Sequence, residues 1–114
     1  FLEGFMDRFH ERLAEDEVVG LFFTREEACI KQIKRMQASV IFNLFQTGPT
    51  QKLRDQLIRV HRQLVISDFE FDRFLQLLAE VGAEVDPAFA KRAVHLLEGL
   101  RKCIVQDNAG LGTA

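Results

Sequence analysis

Three polar side chains interrupt three separate apolar stripes: His10, Gln37 and His61. His61 is the most telling, because Leu53, Leu57, Val60 and Leu64 recur at helical spacing and His61 falls four residues after Leu57 on the same face. An imidazole turned toward a core must hydrogen-bond or coordinate something. The plainer reading of His61 is a core histidine satisfied by a neighbour. Three such residues on three segments suggest instead one polar centre in an apolar pocket. Two imidazoles can bind a metal, and a carboxamide can donate a hydrogen bond. A bare metal ion would want further ligands, and the Asp and Glu residues fall on outer faces. Haem asks less of the protein: one axial His, an apolar slot and one or two distal donors.

Composition limits the alternatives. A chain of 114 residues is one domain, and its core must be efficient. A net charge of −2 gives no general attraction to nucleic acid or to an anionic membrane, so neither is expected as a partner. Eleven Phe with no Trp and no Tyr make every aromatic surface apolar, which suits a phenyl-lined pocket for a flat ligand and suits plain core packing nearly as well. Cys29 and Cys103 lack CxxC spacing, which argues against zinc. They read as reduced thiols, buried or half-buried, of a cytoplasmic protein, with a single disulfide as the alternative. No signal peptide and no membrane-length apolar run is visible. The chain opens without Met, directly in an amphipathic segment, as expected of a domain cut from a longer protein.

The elements that must position the three polar residues are all helical. A first helix is expected from about Phe1 to Ala14, with Phe5, Met6, Phe9, His10 and Leu13 on one face. Thr24 and Glu27 form a capping-box pattern opening a second helix, which Gly48-Pro49 ends. Thr50 is a plausible cap for the third helix, the one carrying His61. Ser67 and Glu70 repeat the capping box before a fourth, which Gly82 is expected to break. Asp86-Pro87 starts a last helix running to about Val105. Residues 107–114 read as a flexible tail, leaving 1–106 as the domain.

These residues, taken in order, resemble the truncated (two-on-two) haemoglobins. The segment FMDRFHERLAEDEVVGLFF looks like that family's opening helix and acidic turn, with Phe23 at the position of the phenylalanine that packs on the haem. IKRMQ resembles the distal-helix motif, placing Ile33, Met36 and Gln37 over the distal face. TGP is similar to the break before the proximal helix, and RVHRQLVI places His61 as the proximal ligand. The resemblance spans about residues 5–105 and is nearest the group with a glycine-rich break. It implies an all-α two-on-two sandwich around haem b, walled by Phe23, Ile33, Val40, Ile41, Leu57, Val60, Leu64, Ile66, Phe71, Phe74 and Leu97. Two departures matter. The family's short N-terminal pre-helix is missing, and its distal tyrosine is replaced by His10. Phe74 also stands where other subgroups carry tryptophan.

The expected function is reversible binding of a diatomic gas (dioxygen, nitric oxide or carbon monoxide). Conversion of nitric oxide to nitrate is an extension that needs an external reductase, since no flavin or nicotinamide motif is visible. His10 has two expected roles: sixth ligand to the iron in a bis-histidyl centre, favoured on ligand chemistry, or donor to bound gas alongside Gln37. Lys34, Lys52, Arg59 and Arg62 are candidate propionate partners by charge alone. His95 belongs to the solvated face of the last helix. A haem-based sensor domain of a signalling protein and a haem-free helical interaction domain are the alternatives.

Overall fold

The computed structural model describes residues 1–106. The expected tail, 107–114, lies outside the described residues. Six α-helices and one 3₁₀ turn make up the described secondary structure: α1 (Leu2–Glu15), the turn Gly20–Phe23, α2 (Glu27–Thr47), α3 (Gln51–His61), α4 (Asp68–Val85), α5 (Pro87–Glu98) and α6 (Arg101–Ile104). The protein is all-α among these residues.

Local chemistry sets most boundaries. Thr50 caps α3 by accepting from the Leu53 amide at 3.2 Å. Ser67 and Glu70 close a full capping box on α4. Asp86 accepts from the Ala88 and Phe89 amides, and Pro87 occupies the first turn of α5. Gly48, at φ 75°, ends α2 in a conformation that glycine alone reaches without steric cost.

Three expectations fail. Thr24 does not cap α2; the helix starts after Glu26 with no side-chain cap. Gly82 does not break α4, which runs on to Val85. Glycine is needed there for space, since a Cβ at 82 would lie 2.7 Å from the Ala90 Cβ, and so α4 and α5 can pack closely. The last helix is also two pieces, because the chain turns at Gly99–Leu100 between α5 and α6.

The core explains why the helices pair as they do. Phe5, Met6, Phe9 and Leu13 of α1 are buried in one cluster with Leu75, Leu77, Leu78 and Val81 of α4, joined by Ala93 and Leu97 of α5. α1 packs on α2 and α4 packs on α5, while α1 also meets α4 and α2 meets α5. Arg8–Glu84 and Arg12–Glu80 ion pairs run along the outside of the α1–α4 contact, exposed and so of small energetic weight. Asp16 is stronger: its buried carboxylate accepts from the Val18 and Val19 amides and from two nitrogens of Arg73, at 2.6 and 2.8 Å. This pins the turn after α1 to α4. α3 stands apart, packing chiefly on α6.

Candidate functional site

Burial changes in parallel along α2 and α3. On α3, Leu53 and Leu57 are buried but Val60 and His61 are not, although all four share one side of the helix; Leu64, expected on the same stripe, lies beyond the helix end and is only partly covered. Val60 was expected to face inward and is 43% exposed. On α2, Ile41 and Leu44 are buried, whereas Ile33, Gln37 and Val40 are only partly covered. Each stripe is therefore closed near the turn at 48–50 and open away from it. Gln37 lies eleven residues before Gly48, and His61 eleven after Thr50. At 1.5 Å per residue, both stand about 16 Å along their helices from the turn. The two polar residues mark the open part of the two apolar stripes.

His61 is held in one orientation and one tautomer. Its Nδ1 lies 2.8 Å from the Leu57 carbonyl oxygen, one helical turn back. A carbonyl can only accept, so Nδ1 carries the proton and Nε2 carries a lone pair. Nε2 has no hydrogen-bond partner among the described residues. Burial pushes the imidazole pKa below its usual value, an effect the Leu57 bond partly offsets, so the ring is neutral at pH 7. A neutral ring with its second nitrogen held by a carbonyl is the arrangement by which proteins orient a metal-ligating histidine.

His10 and Gln37 come together as one unit. His10 is 4% exposed, and its Nε2 lies 2.7 Å from Oε1 of Gln37. The carboxamide oxygen accepts, so His10 donates and its Nδ1 is left as a buried acceptor without a partner. Burial lowers the His10 pKa; the Gln37 bond opposes this, nearby Lys34 adds to it and Asp7 again opposes it. Because Oε1 is engaged, the amino end of Gln37 is its remaining donor.

Aromatic rings tie this unit to the wall of the site. His10 contacts Phe23 edge-on at 5.1 Å, and Phe23 stacks on Phe74 at 6.2 Å. Phe74 in turn stacks on Phe71 at 6.3 Å and meets Phe9 at 5.1 Å. Of the expected wall residues, Ile41, Leu57, Phe71 and Leu97 belong to the buried core, and Phe23, Val40, Ile66 and Phe74 pack against it. Ile33, Val60 and Leu64 stand outside that cluster. Phe9 joins the ring series although it was expected only as core; its place beside His10 on the first-helix stripe was the available signal.

The remaining expectations divide. Lys34 is ion-paired with Asp7 at 3.0 Å. Lys52, Arg59 and Arg62 have no carboxylate partner among the described residues. Met36 is partly exposed at the edge of α2, and His95 is exposed. Cys103 is buried, but Cys29 is exposed rather than buried or half-buried, and neither is in a disulfide. Among the described residues no group of three or more His, Cys, Asp or Glu converges as a metal site.

Comparison of the chain with models of known families, with curated proteins and with solved structures gives no match. Among the described residues no helix is long and apolar enough to cross a membrane. The functional reading therefore rests on the site.

Proposed function

We propose that the protein is a haem-binding globin of the two-on-two type that reversibly binds a diatomic gas. One observation carries this reading: His61 offers a free, neutral Nε2 where the apolar stripes of α2 and α3 lose their cover. The donor set also fits haem b, which asks for a single axial imidazole and otherwise apolar walls. His61 would hold the iron, and Phe23, Val40, Ile66, Phe71 and Phe74 would flank the macrocycle. When bound, haem supplies an iron centre able to take a diatomic ligand.

The protein's own residues do the rest. The Leu57 carbonyl fixes the His61 ring and its tautomer. His10 donates to Gln37 Oε1, which fixes the carboxamide and leaves its amino group as the distal donor. In this arrangement His10 acts through Gln37. In a bis-histidyl centre the ligating atom of His10 would be the unpartnered Nδ1, with Nε2 still donating to Gln37, or Nε2 after a change of tautomer and loss of that bond. Conversion of nitric oxide to nitrate, with electrons from an external reductase, is a further activity the same site would support.

The test is titration of purified protein with ferric haem, followed by reduction and absorption spectroscopy. A stoichiometric Soret band in wild type that is lost in His61→Ala and restored by exogenous imidazole is the expected result. A mutant spectrum unchanged from wild type would overturn the assignment. Protein that folds and never takes up haem would support the alternative of a haem-free interaction domain.

A further inference from the structure

The outer face of α3 has no role in the site just described. Residues 51–63 carry Lys52, Arg54, Arg59 and Arg62 against the single carboxylate Asp55, a net charge of +3 within a chain of net −2. That carboxylate is engaged by Gln51 at 2.8 Å. None of the four cations has an acidic partner within ion-pair distance among the described residues, and no separate stretch of that length carries four such cations against one carboxylate. On the helix wheel Ile58, 46% exposed, lies between Arg54 and Arg62, with Asp55 and then Arg59 beyond Arg62, and Val65 just past the helix is 73% exposed. An apolar centre within a charged rim is the anatomy of a transient protein interface. Apart from Asp55, the acidic residues of the described chain lie elsewhere, most of them on α1 and α4.

From this we infer that the outer face of α3 docks a small acidic one-electron carrier. The inference rests on the haem reading, because His61 belongs to the same helix. An α-helix with its side chains is about 10–12 Å across, so a partner on the outer face sits one helix width from the proximal imidazole. The step is simple: one electron leaves the reduced carrier and ferric iron becomes ferrous, with no bond made or broken. Unpaired cations around Ile58 supply the attraction to the carrier's carboxylates, an effect that acts mainly on the rate of encounter and weakens with salt.

A plant-type [2Fe–2S] ferredoxin serves as the probe. Titrating it into ¹⁵N-labelled protein, with and without haem, should shift amide signals on α3 around Ile58, Arg59 and Arg62. The double variant R59E/R62E should bind at least tenfold more weakly, and R59K/R62K should bind like wild type. Both variants change exposed residues, and circular dichroism checks that each is folded. Reduction of the ferric protein by ferredoxin should slow in R59E/R62E and with added salt, while reduction by dithionite stays unchanged. Shifts confined to other helices, R59E/R62E binding equal to wild type, or α3 binding only to anionic vesicles or to a second copy of the chain would overturn the proposal. A Soret-positive protein that fails to bind the probe refutes the docking face alone. A protein that binds the probe but takes up no haem refutes the haem reading.

Discussion

His10 and Gln37 share a hydrogen bond 2.7 Å long between α1 and α2, and its direction determines what the distal side can offer a ligand. Because the carboxamide oxygen is consumed, Gln37 faces the site as a donor, oriented by a residue that is itself buried.

The haem-loaded ferrous protein should accordingly be five-coordinate and high-spin without gas. Gln37→Leu removes the donor and should raise the dioxygen dissociation rate by about tenfold or more, as loss of one hydrogen bond of about 1.5 kcal/mol implies. His10→Leu should have a smaller effect in the same direction, because Gln37 loses its orientation and keeps its donor. Stopped-flow ligand displacement measures both. A low-spin ferrous wild type that becomes high-spin in His10→Leu would mean that His10 coordinates.

Acid should weaken the protein through two imidazoles, His10 and His61. Each has a folded-state pKa below its usual 6.5, held down chiefly by burial. A group of this kind favours the folded state fully above the unfolded value. As pH falls below about 6.5 the unfolded chain takes up protons that the folded chain refuses, and stability declines. Urea midpoints of the haem-free protein should fall between pH 7 and 5.5, and the fall should be smaller in His10→Gln. Equal slopes in the two proteins would remove His10 from the account.

Gly82 fixes how closely α4 approaches α5. The Ala90 side chain lies where a new Cβ would go, and the Ala90 Cα would be only 3.2 Å away. Gly82→Leu should cost about 1–3 kcal/mol or more by forcing the helices apart. Gly4→Leu, with nothing within 4 Å of its Cβ, serves as the control and should change stability little. Thermal unfolding of the two variants side by side decides the point.

Asp16 should matter more than any other surface ion-pair carboxylate. Its carboxylate is largely shielded, it caps two amides and it receives Arg73. Arg73 holds its pKa below the usual carboxylate range. Asp16→Ala should therefore destabilise by about 1–2 kcal/mol, mainly through the loss of the cap on two amides, while Glu84→Ala at an exposed pair should cost under about 1 kcal/mol. Chemical denaturation gives both values. Comparable losses would show that the turn after α1 is held by its apolar residues alone.

Helix boundaries were legible wherever side-chain chemistry near the backbone decides them, as at Thr50, Ser67, Asp86 and Gly48. They were misread where the deciding contact comes from afar. Gly82 looks like a helix breaker until Ala90 is seen against it. The site was legible to a similar depth. Residue type and stripe position picked out His10, Gln37 and His61, and they correctly suggested that His10 is buried. They could not show that His10 spends its donor on Gln37, because 27 residues separate the two in sequence. Nor could the helical wheel reveal Val60's exposure: it reports which side of a helix a residue occupies and says nothing of what stands opposite.

The far end of the described chain has a bearing on the proximal side. Gln106 donates its backbone amide to the Ile66 carbonyl at 3.0 Å, and its side-chain oxygen accepts from the Ile66 amide at 3.2 Å. This two-bond clasp grips the strap that carries the polypeptide away from His61, and α6 just before it braces the same helix. A tug on residue 106 would reach that strap directly. A chain shortened to end at Ile104 would lose the clasp while keeping His10, Gln37 and His61, leaving the His61 imidazole on a looser mount.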